Sequence, residues 1–132
     1  MTKENLRLLD ANLNRLREGI RVVEDIYRYI FNDKTTASKL KNLRHNSRID
    51  IYNELLDSRD IQGDVLKTST VSEQNRKDLD SILIANFKRA QESSRVLEEF
   101  GKLINNEASE NFKSIRYELY HLEKSINQNI SK

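Results

Sequence analysis

Apolar residues recur at alternating steps of three and four positions along most of the chain, which is the spacing of one face of an α-helix. This spacing predicts helices over about residues 4–32 and 35–58, from about 70 to 104, and from about 109 onwards. The pattern therefore predicts an all-α protein with four helices. The first apolar run consists of Leu6, Leu9, Leu13, Leu16, Ile20, Val23, Tyr27 and Ile30.

One long stretch interrupts this periodicity between the second and third predicted helices. Residues 58–72 read SRDIQGDVLKTSTVS, and their glycine, paired aspartates and clustered hydroxyl residues are typical of a loop. Thr70 and Glu73, at its end, have the spacing of a capping box for the third helix. Since the other connections are short, we predict two αα-hairpins that are joined by this loop and form a four-helix bundle. The 132 residues fit a single helical domain, 1–132.

The two predicted hairpins share an internal repeat. ANLNRLREGIRVVED at 11–25 aligns without gaps with ANFKRAQESSRVLEE at 85–99, and LKNLRH at 40–45 resembles FKSIRY at 112–117. We therefore predict that the hairpins are copies that pack about a pseudo-two-fold axis, so that equivalent residues of the first and third helices approach each other. The seven identities among the fifteen aligned positions are Ala11/Ala85, Asn12/Asn86, Arg15/Arg89, Glu18/Glu92, Arg21/Arg95, Val22/Val96 and Glu24/Glu98.

Most of these identities are polar, and their positions around the helix predict burial. At about 100° per residue, a second apolar face lies roughly 140° from the first, and the repeated polar residues fall between the two faces or at the edge of the second. The second face itself, formed by Ala11, Val22, Ile26 and Tyr29, predicts a homodimer contact. The residues that we expect to be at least partly buried are Asn12, Arg15, Glu18, Asn86, Arg89 and Glu92.

Two interpretations of the repeated charged residues stay open. In the first, they form a structural ladder of ion pairs, of which Arg21 and Asp25 would be one and Arg15 and Glu18 another. In the second, arginines from two facing helices bind the oxygen atoms of a phosphate group.

The second copy also carries smaller side chains along one seam of its helix. This loss of volume either lets two helices approach closely or leaves a pocket. The changes are Leu16 to Ala90, Ile20 to Ser94 and Tyr27 to Gly101.

Composition and charge exclude several classes of protein. The formal net charge is only +2 although 33% of the residues are charged, and a nucleic-acid-binding protein would show a basic stripe instead. The absence of cysteine excludes disulfides and thiolate metal sites. No apolar run exceeds four residues, so neither a membrane span nor a signal peptide is predicted. We expect a soluble, cytoplasmic protein.

The predicted loop carries residues that suit a metal–phosphate complex. Asp60 and Asp64 flank Gly63, at which we expect a turn with positive φ. Magnesium that is bound with a phosphate substrate usually takes one or two carboxylates, so these two aspartates are its candidate ligands. Arg59 and Lys67 add candidate phosphate donors. The alternative is an ordinary surface turn.

Five motifs together resemble the helical hydroxymethylpyrimidine-phosphate kinase family of thiamine biosynthesis. That family often forms the N-terminal part of thiamine-phosphate synthase chains. The resemblance covers nearly the whole chain, in order, and none of the motifs would be sufficient alone. The motifs are LLDANLNRLREGIRVVED at 8–25, LKNLRH at 40–45, RDIQGDV at 59–65, ANFKRAQESSRVLEEFGKL at 85–103 and FKSIRYELYHLEK at 112–124.

The resemblance implies a transferase, a kinase that moves a phosphoryl group from ATP to the pyrimidine monophosphate with the help of Mg²⁺. Joined to the residue pattern, it gives Arg15, Arg89, Asp60 and Asp64 as catalytic residues, with the two aspartates as magnesium ligands. The arginines would bind phosphates, the asparagines would orient oxygen atoms or the pyrimidine amine, and the glutamates would hold the arginines. The candidates for substrate and phosphate binding are Asn12, Glu18, Arg21, Arg44, Asn86, Glu92, Arg95 and Arg116.

Two other functions stay open. The chain could be a non-catalytic helical module that docks on the barrel of thiamine-phosphate synthase, or a plain dimerisation bundle. Across these alternatives, the expected partners are a small phosphate substrate, thiamine-phosphate synthase and a second copy of the chain in a homodimer. Neither nucleic acid nor a membrane is expected as a partner.

Overall fold

The fold is a helical bundle in the computed structural model, which describes residues 1–69 and 76–130. These residues contain helices and no strand, so the predicted all-α class is confirmed. Of the described helices, none combines the length and apolar character that crossing a membrane requires. The elements are α1 (Lys3–Asp25), a π-helical turn that continues it (Ile26–Ile30), α2 (Lys34–Asn46), α3 (Tyr52–Ser58), α4 (Leu79–Gly101) and α5 (Asn106–Ile130).

Helix α1 forms the centre of the bundle. It packs along α4 and contacts α2 and α3, while α5 packs against α4 and touches α2. The apolar run predicted in the first helix faces this core, where Leu9, Leu16 and Ile20 are fully buried. Four helices, α1, α2, α4 and α5, thus form the predicted bundle, and the short α3 lies against α1.

Ile30 departs from the predicted run, because its side chain is 56% exposed. The turn that contains it is π-helical, and the amide of Phe31 donates a hydrogen bond to the carbonyl oxygen of Ile26 at 3.1 Å. A π-turn holds more residues than an α-turn, so it rotates the end of the helix away from the buried face. The prediction that Ile30 faces the core was wrong for this reason.

The second predicted helix is broken into two. Helix α2 ends at Asn46 and α3 begins only at Tyr52, so a continuous helix over about 35–58 was wrong. The buried Ser47 ends α2, with a ψ of 70° that lies outside the helical region. Its hydroxyl donates to the carbonyl oxygen of Leu43 at 2.7 Å, a local bond of the kind that competes with the helical pattern.

The helices of the second hairpin begin at side-chain caps. Asp78 precedes α4, and its carboxylate accepts from the amide of Ser81 at 2.8 Å. The start of the third helix is therefore later than predicted, while the proposed capping box of Thr70 and Glu73 lies outside the described residues. Helix α5 begins at Asn106, close to the predicted position.

Helices α1 and α4 cross closely and run antiparallel. A Cβ atom at Gly19 would lie 3.1 Å from the backbone oxygen of Asn86 and 3.4 Å from the Cβ of Ala90. Burial and nearby acidic charges raise the pKa of Tyr27, which lies just beyond the end of α1. One of these charges belongs to Asp80 in the first turn of α4, so the end of α1 is near the start of α4. Ala90, which the second copy has in place of Leu16, therefore allows α1 and α4 to approach each other closely. The pseudo-two-fold axis itself stays a prediction.

Candidate functional site

A pocket of about 370 Å³ lies between the first half of α1 and the segment after α3. Its α1 residues lie at positions 4, 7, 8, 10, 11, 14 and 15, a spacing that places them on one face of the helix. Three arginines and four carboxylates line it, together with the apolar Leu8, Ala11 and Ile61. The charged lining residues are Arg7, Arg15, Arg59, Glu4, Asp10, Asp60 and Asp64.

Two arginines fasten the start of the loop to α1. The guanidinium of Arg59 donates from Nε to Oδ2 of Asp10 and from Nη2 to Oδ1, both at 2.8 Å. These hydrogen bonds and the charge of Asp10 raise the pKa of Arg59. Arg7 donates from Nη2 to the backbone oxygen of Asp60 at 3.0 Å. The wall that the loop contributes to the pocket is thus bound directly to the helical wall.

The two loop aspartates shape the loop as well as line the pocket. Oδ1 of Asp60 accepts from the amide of Gly63 at 2.7 Å, and Oδ1 of Asp64 accepts from the amide of Leu66 at 3.0 Å. Among the described residues no glycine has a positive φ, so the expected conformation at Gly63 was wrong. Glycine fits there because a Cβ atom would collide with the carboxylate of Asp60.

Magnesium is compatible with this pocket but is not required by its geometry. Within residues 1–69 and 76–130 no three carboxylates or histidines form a cluster that would hold a metal by itself. A pair of carboxylates is enough for Mg²⁺ when a phosphate and water supply the other oxygens. Asp60 and Asp64 line one cavity, and magnesium binding between them stays a prediction.

The pocket unites three of the four predicted catalytic residues and omits the fourth. Arg15, Asp60 and Asp64 all line it, whereas Arg89 lies on α4 and is not among the lining residues. In the described part of the chain, the guanidinium groups of Arg15 and Arg89 form no hydrogen bond or ion pair. Arg15 is therefore available to a ligand in the pocket, and the catalytic role of Arg89 has no support from the pocket.

The predicted burial holds for the asparagines and fails for the charged residues. Asn12 and Asn86 are buried, and each donates from Nδ2 to a carbonyl oxygen one turn earlier in its own helix, at 2.9 and 2.8 Å. Both amides are thus occupied within the helix. The predicted second apolar face is largely exposed, so the charged residues beside it reach solvent; the homodimer that this face suggested stays a prediction. The expectation of burial was wrong for Arg15, Glu18, Arg89 and Glu92.

Four further predicted phosphate-binding arginines are held by carboxylates other than Glu18 and Glu92. Arg44 donates from Nε to Glu24 at 2.7 Å, and Arg116 donates from Nη2 to Glu98 at 3.0 Å. Glu24 and Glu98 are buried, and these pairs join the two helices of each hairpin. Of the two ion pairs that the structural interpretation predicted, Arg21–Asp25 forms, whereas Arg15 and Glu18 make no ion pair in the described part of the chain. A role of these arginines in phosphate binding stays a prediction. The other two arginines form the pairs Arg21–Asp25, Arg95–Glu98 and Arg95–Glu99.

Sequence reasoning missed Arg7 and Asp10 and gave Arg59 no more than a minor part. The helical candidates were drawn from the positions that the two copies share, and Arg7 and Asp10 are not among these positions. The positions equivalent to Arg7 and Asp10 in the second copy are Ser81 and Ile84. The sequence did contain a signal for them. Arg7 and Asp10 are charged positions on the helix face of Arg15 at which the two copies differ.

Several curated proteins are similar to this chain over most of its length. Thiamine-phosphate synthase of Rhodopirellula baltica is 42% identical over 120 residues, which cover 87% of this chain and 32% of that protein. Thiamine-phosphate synthase of Thermosynechococcus vestitus is 40% identical over 124 residues, 93% of this chain and 35% of that protein. The chain thus spans about a third of the length of these curated relatives. No solved structure matches it significantly.

A comparison with models of protein families agrees with these relatives. The model of the family described as ThiD2 matches residues 7–125. That match includes the pocket face of α1 from Arg7 onwards, the loop and both hairpins. The similarity extends over nearly the entire bundle, and the chain therefore belongs to the ThiD2 family.

Proposed function

We propose that this chain works in thiamine biosynthesis as a helical module associated with thiamine-phosphate synthase. Membership of the ThiD2 family supports this proposal, as does the similarity to about a third of the length of proteins named thiamine-phosphate synthase. Since the match covers only that part, the synthase reaction itself is not assigned to this chain.

For the pocket we propose phosphoryl transfer from ATP to hydroxymethylpyrimidine phosphate, which yields the pyrimidine diphosphate. The observation that carries this proposal is the convergence of Arg7, Arg15 and Arg59 with Asp60 and Asp64 around one cavity. With as many carboxylates as this, the pocket suits a phosphate that arrives with a divalent cation better than a bare anion. Its apolar lining offers a surface to a flat ring.

In this reaction the chain positions groups and neutralises charge. The bond between the γ-phosphorus of ATP and its bridging oxygen breaks, and the γ-phosphorus bonds to an oxygen of the acceptor phosphate. The arginines stabilise the negative charge on the transferred group. Asp60 and Asp64 would hold magnesium, which when bound neutralises phosphate charge. No general base is needed, because the accepting oxygen is already ionised.

The direct test is an assay of the purified chain with ATP, Mg²⁺ and hydroxymethylpyrimidine phosphate. Phosphorus NMR or anion-exchange chromatography would follow the pyrimidine diphosphate and ADP. We expect both products in equal amounts, and none when magnesium is removed by a chelator. Folded protein that forms no diphosphate would exclude phosphoryl transfer and leave the non-catalytic module as the function.

That second candidate is favoured by specific observations. The relatives carry the name of the synthase rather than of a kinase, and they are about three times as long as this chain. At the pocket rim, the loop exposes Val65 and Leu66 by 93% and 84%, which suits a partner surface. A non-catalytic module would bind the synthase tightly in light scattering or calorimetry and would lose that binding in a Val65→Ser, Leu66→Ser variant.

A further inference from the structure

Asp10 differs from the other carboxylates of the α1 pocket because it is buried, with 6% exposure, and fully engaged by one arginine. We infer that Asp10 is a positioning residue, which holds Arg59 so that the free N–H groups of its guanidinium receive an oxyanion. The inference rests on the proposed function only in that the α1 pocket binds phosphate. It requires neither ATP nor transfer.

The geometry of the pair leaves Arg59 with unused donors. An arginine has five N–H groups, and Asp10 takes one from Nε and one from Nη2. Both N–H groups of Nη1 have no partner in the described part of the chain, and Arg59 lines the cavity with 39% of its side chain exposed. An arginine fixed in this way loses less side-chain freedom when it binds an anion.

The internal repeat supplies an independent argument. The second copy retains the equivalent of Arg15, which is Arg89, but carries Ile84 where the first copy has Asp10. Ile84 is exposed and cannot hold an arginine. The described pocket thus coincides with the copy that contains Asp10. A residue that only supported the hairpin fold would be expected in both copies.

Removal of Asp10 distinguishes two explanations of its effect on anion binding, because they predict changes of affinity in opposite directions. If Asp10 acted only through its charge, its removal would strengthen anion binding, because one repulsive carboxylate would be gone. If Asp10 acts by holding Arg59, its removal weakens anion binding despite the more favourable charge. The direction of the change therefore decides between the two.

The test is a calorimetric titration of the full chain and its variants with inorganic pyrophosphate in the presence of saturating Mg²⁺, because the carboxylates of the pocket disfavour a bare anion. We expect Asp10→Asn to weaken binding about fivefold. The matched control is Glu4→Gln, which also removes one carboxylate from the pocket lining but one that holds no arginine in the described structure. This control should bind pyrophosphate as well as the natural chain or better.

A second arm asks whether Asp10 acts through Arg59. Arg59→Lys keeps the charge but loses the fork that the carboxylate grips, and in this background Asp10→Asn should have no further effect. Circular dichroism would establish that each variant is folded; if Asp10→Asn does not fold, Asp10→Glu replaces it with the same expected direction.

The outcomes are distinct. Unchanged or tighter binding by Asp10→Asn, or an equal loss in the Arg59→Lys background, overturns the inference and leaves the phosphate pocket standing. A natural chain that binds no pyrophosphate overturns the proposed phosphate pocket itself, and the role of Asp10 with it.

Discussion

The two hairpins resemble each other in sequence, yet a comparison of them separates the residues of the fold from those of the site. Each contains a buried glutamate that pairs with an arginine of the next helix, Glu24 with Arg44 and Glu98 with Arg116. The first hairpin alone carries Asp10, which ties the loop to α1 and closes the pocket. The shared glutamate–arginine pairs thus join the helices of both hairpins, while an unshared residue shapes the proposed phosphate pocket.

The largest expected effect concerns the shared pairs. Replacement of Glu24 or Glu98 by Gln should lower the free energy of unfolding by about 3 kcal/mol, because the partly buried Arg44 or Arg116 loses the counter-charge of a buried carboxylate. Urea unfolding followed by circular dichroism would measure this loss. As controls, Glu18→Gln and Glu92→Gln alter exposed repeat residues and should change the free energy by less than about 0.5 kcal/mol. If Glu98→Gln lowered the free energy of unfolding no more than the two controls do, the second hairpin would not depend on its buried pair as the first does.

The next effect separates the two repeated arginines. Arg15→Met should lower the rate of diphosphate formation about 100-fold, because it removes a cation from the pocket. Arg89→Met should leave the rate within about threefold, since Arg89 lies outside that pocket. Both side chains are exposed, so thermal unfolding should change little. Equal losses of activity would restore the prediction from the repeat that both arginines are catalytic.

The smallest effect concerns the helix caps at equivalent ends of α2 and α5. Asp33 accepts from the amide of Thr36 at 3.0 Å, and Asn105 accepts from the amide of Ala108 at 2.7 Å. Hydrogen bonds from Thr36 lower the pKa of Asp33, so its contribution to stability is present above pH ~4 and disappears as the pH falls through the lowered value. Only the first of these two caps can therefore titrate.

We accordingly expect Asp33→Asn to cost about 0.5 kcal/mol at pH 7 and progressively less as the pH falls through the lowered pKa of Asp33. Urea unfolding at a series of pH values would measure the difference from the natural chain. The reciprocal variant, Asn105→Asp, should gain a contribution that appears only above pH ~4. A constant difference across this range would show that the charge of Asp33 adds nothing to its cap.

The core could be predicted from the sequence because local periodicity determines which face of a helix is apolar. Leu9, Leu16 and Ile20 lie where their spacing placed them. The break at Ser47 and the outward rotation of Ile30 were missed, since a single serine and a single π-turn change the phase without changing the composition. Such local departures leave almost no trace in an apolar pattern.

The site was harder to predict because it depends on a contact between distant residues. Asp10 and Arg59 are 49 positions apart, and no helical spacing relates them. Asp60 and Asp64 were found from residue type in the loop, whereas Arg15 and Arg89 were both chosen from the repeat, and only Arg15 lines the pocket. Burial of the charged repeat residues was expected from a second apolar face that this bundle leaves largely open to solvent.

The contact between Asp10 and Arg59 has a consequence for how ligands of the pocket could be found. It forms only when α1, α2 and α3 have assembled, so an unfolded chain offers no such cavity. A compound that fills the cavity therefore binds the folded state alone, and it raises the melting temperature increasingly as its concentration exceeds its Kd. A thermal-shift screen, in which the melting temperature is measured with each candidate metabolite in turn, would therefore identify the ligands that this pocket binds.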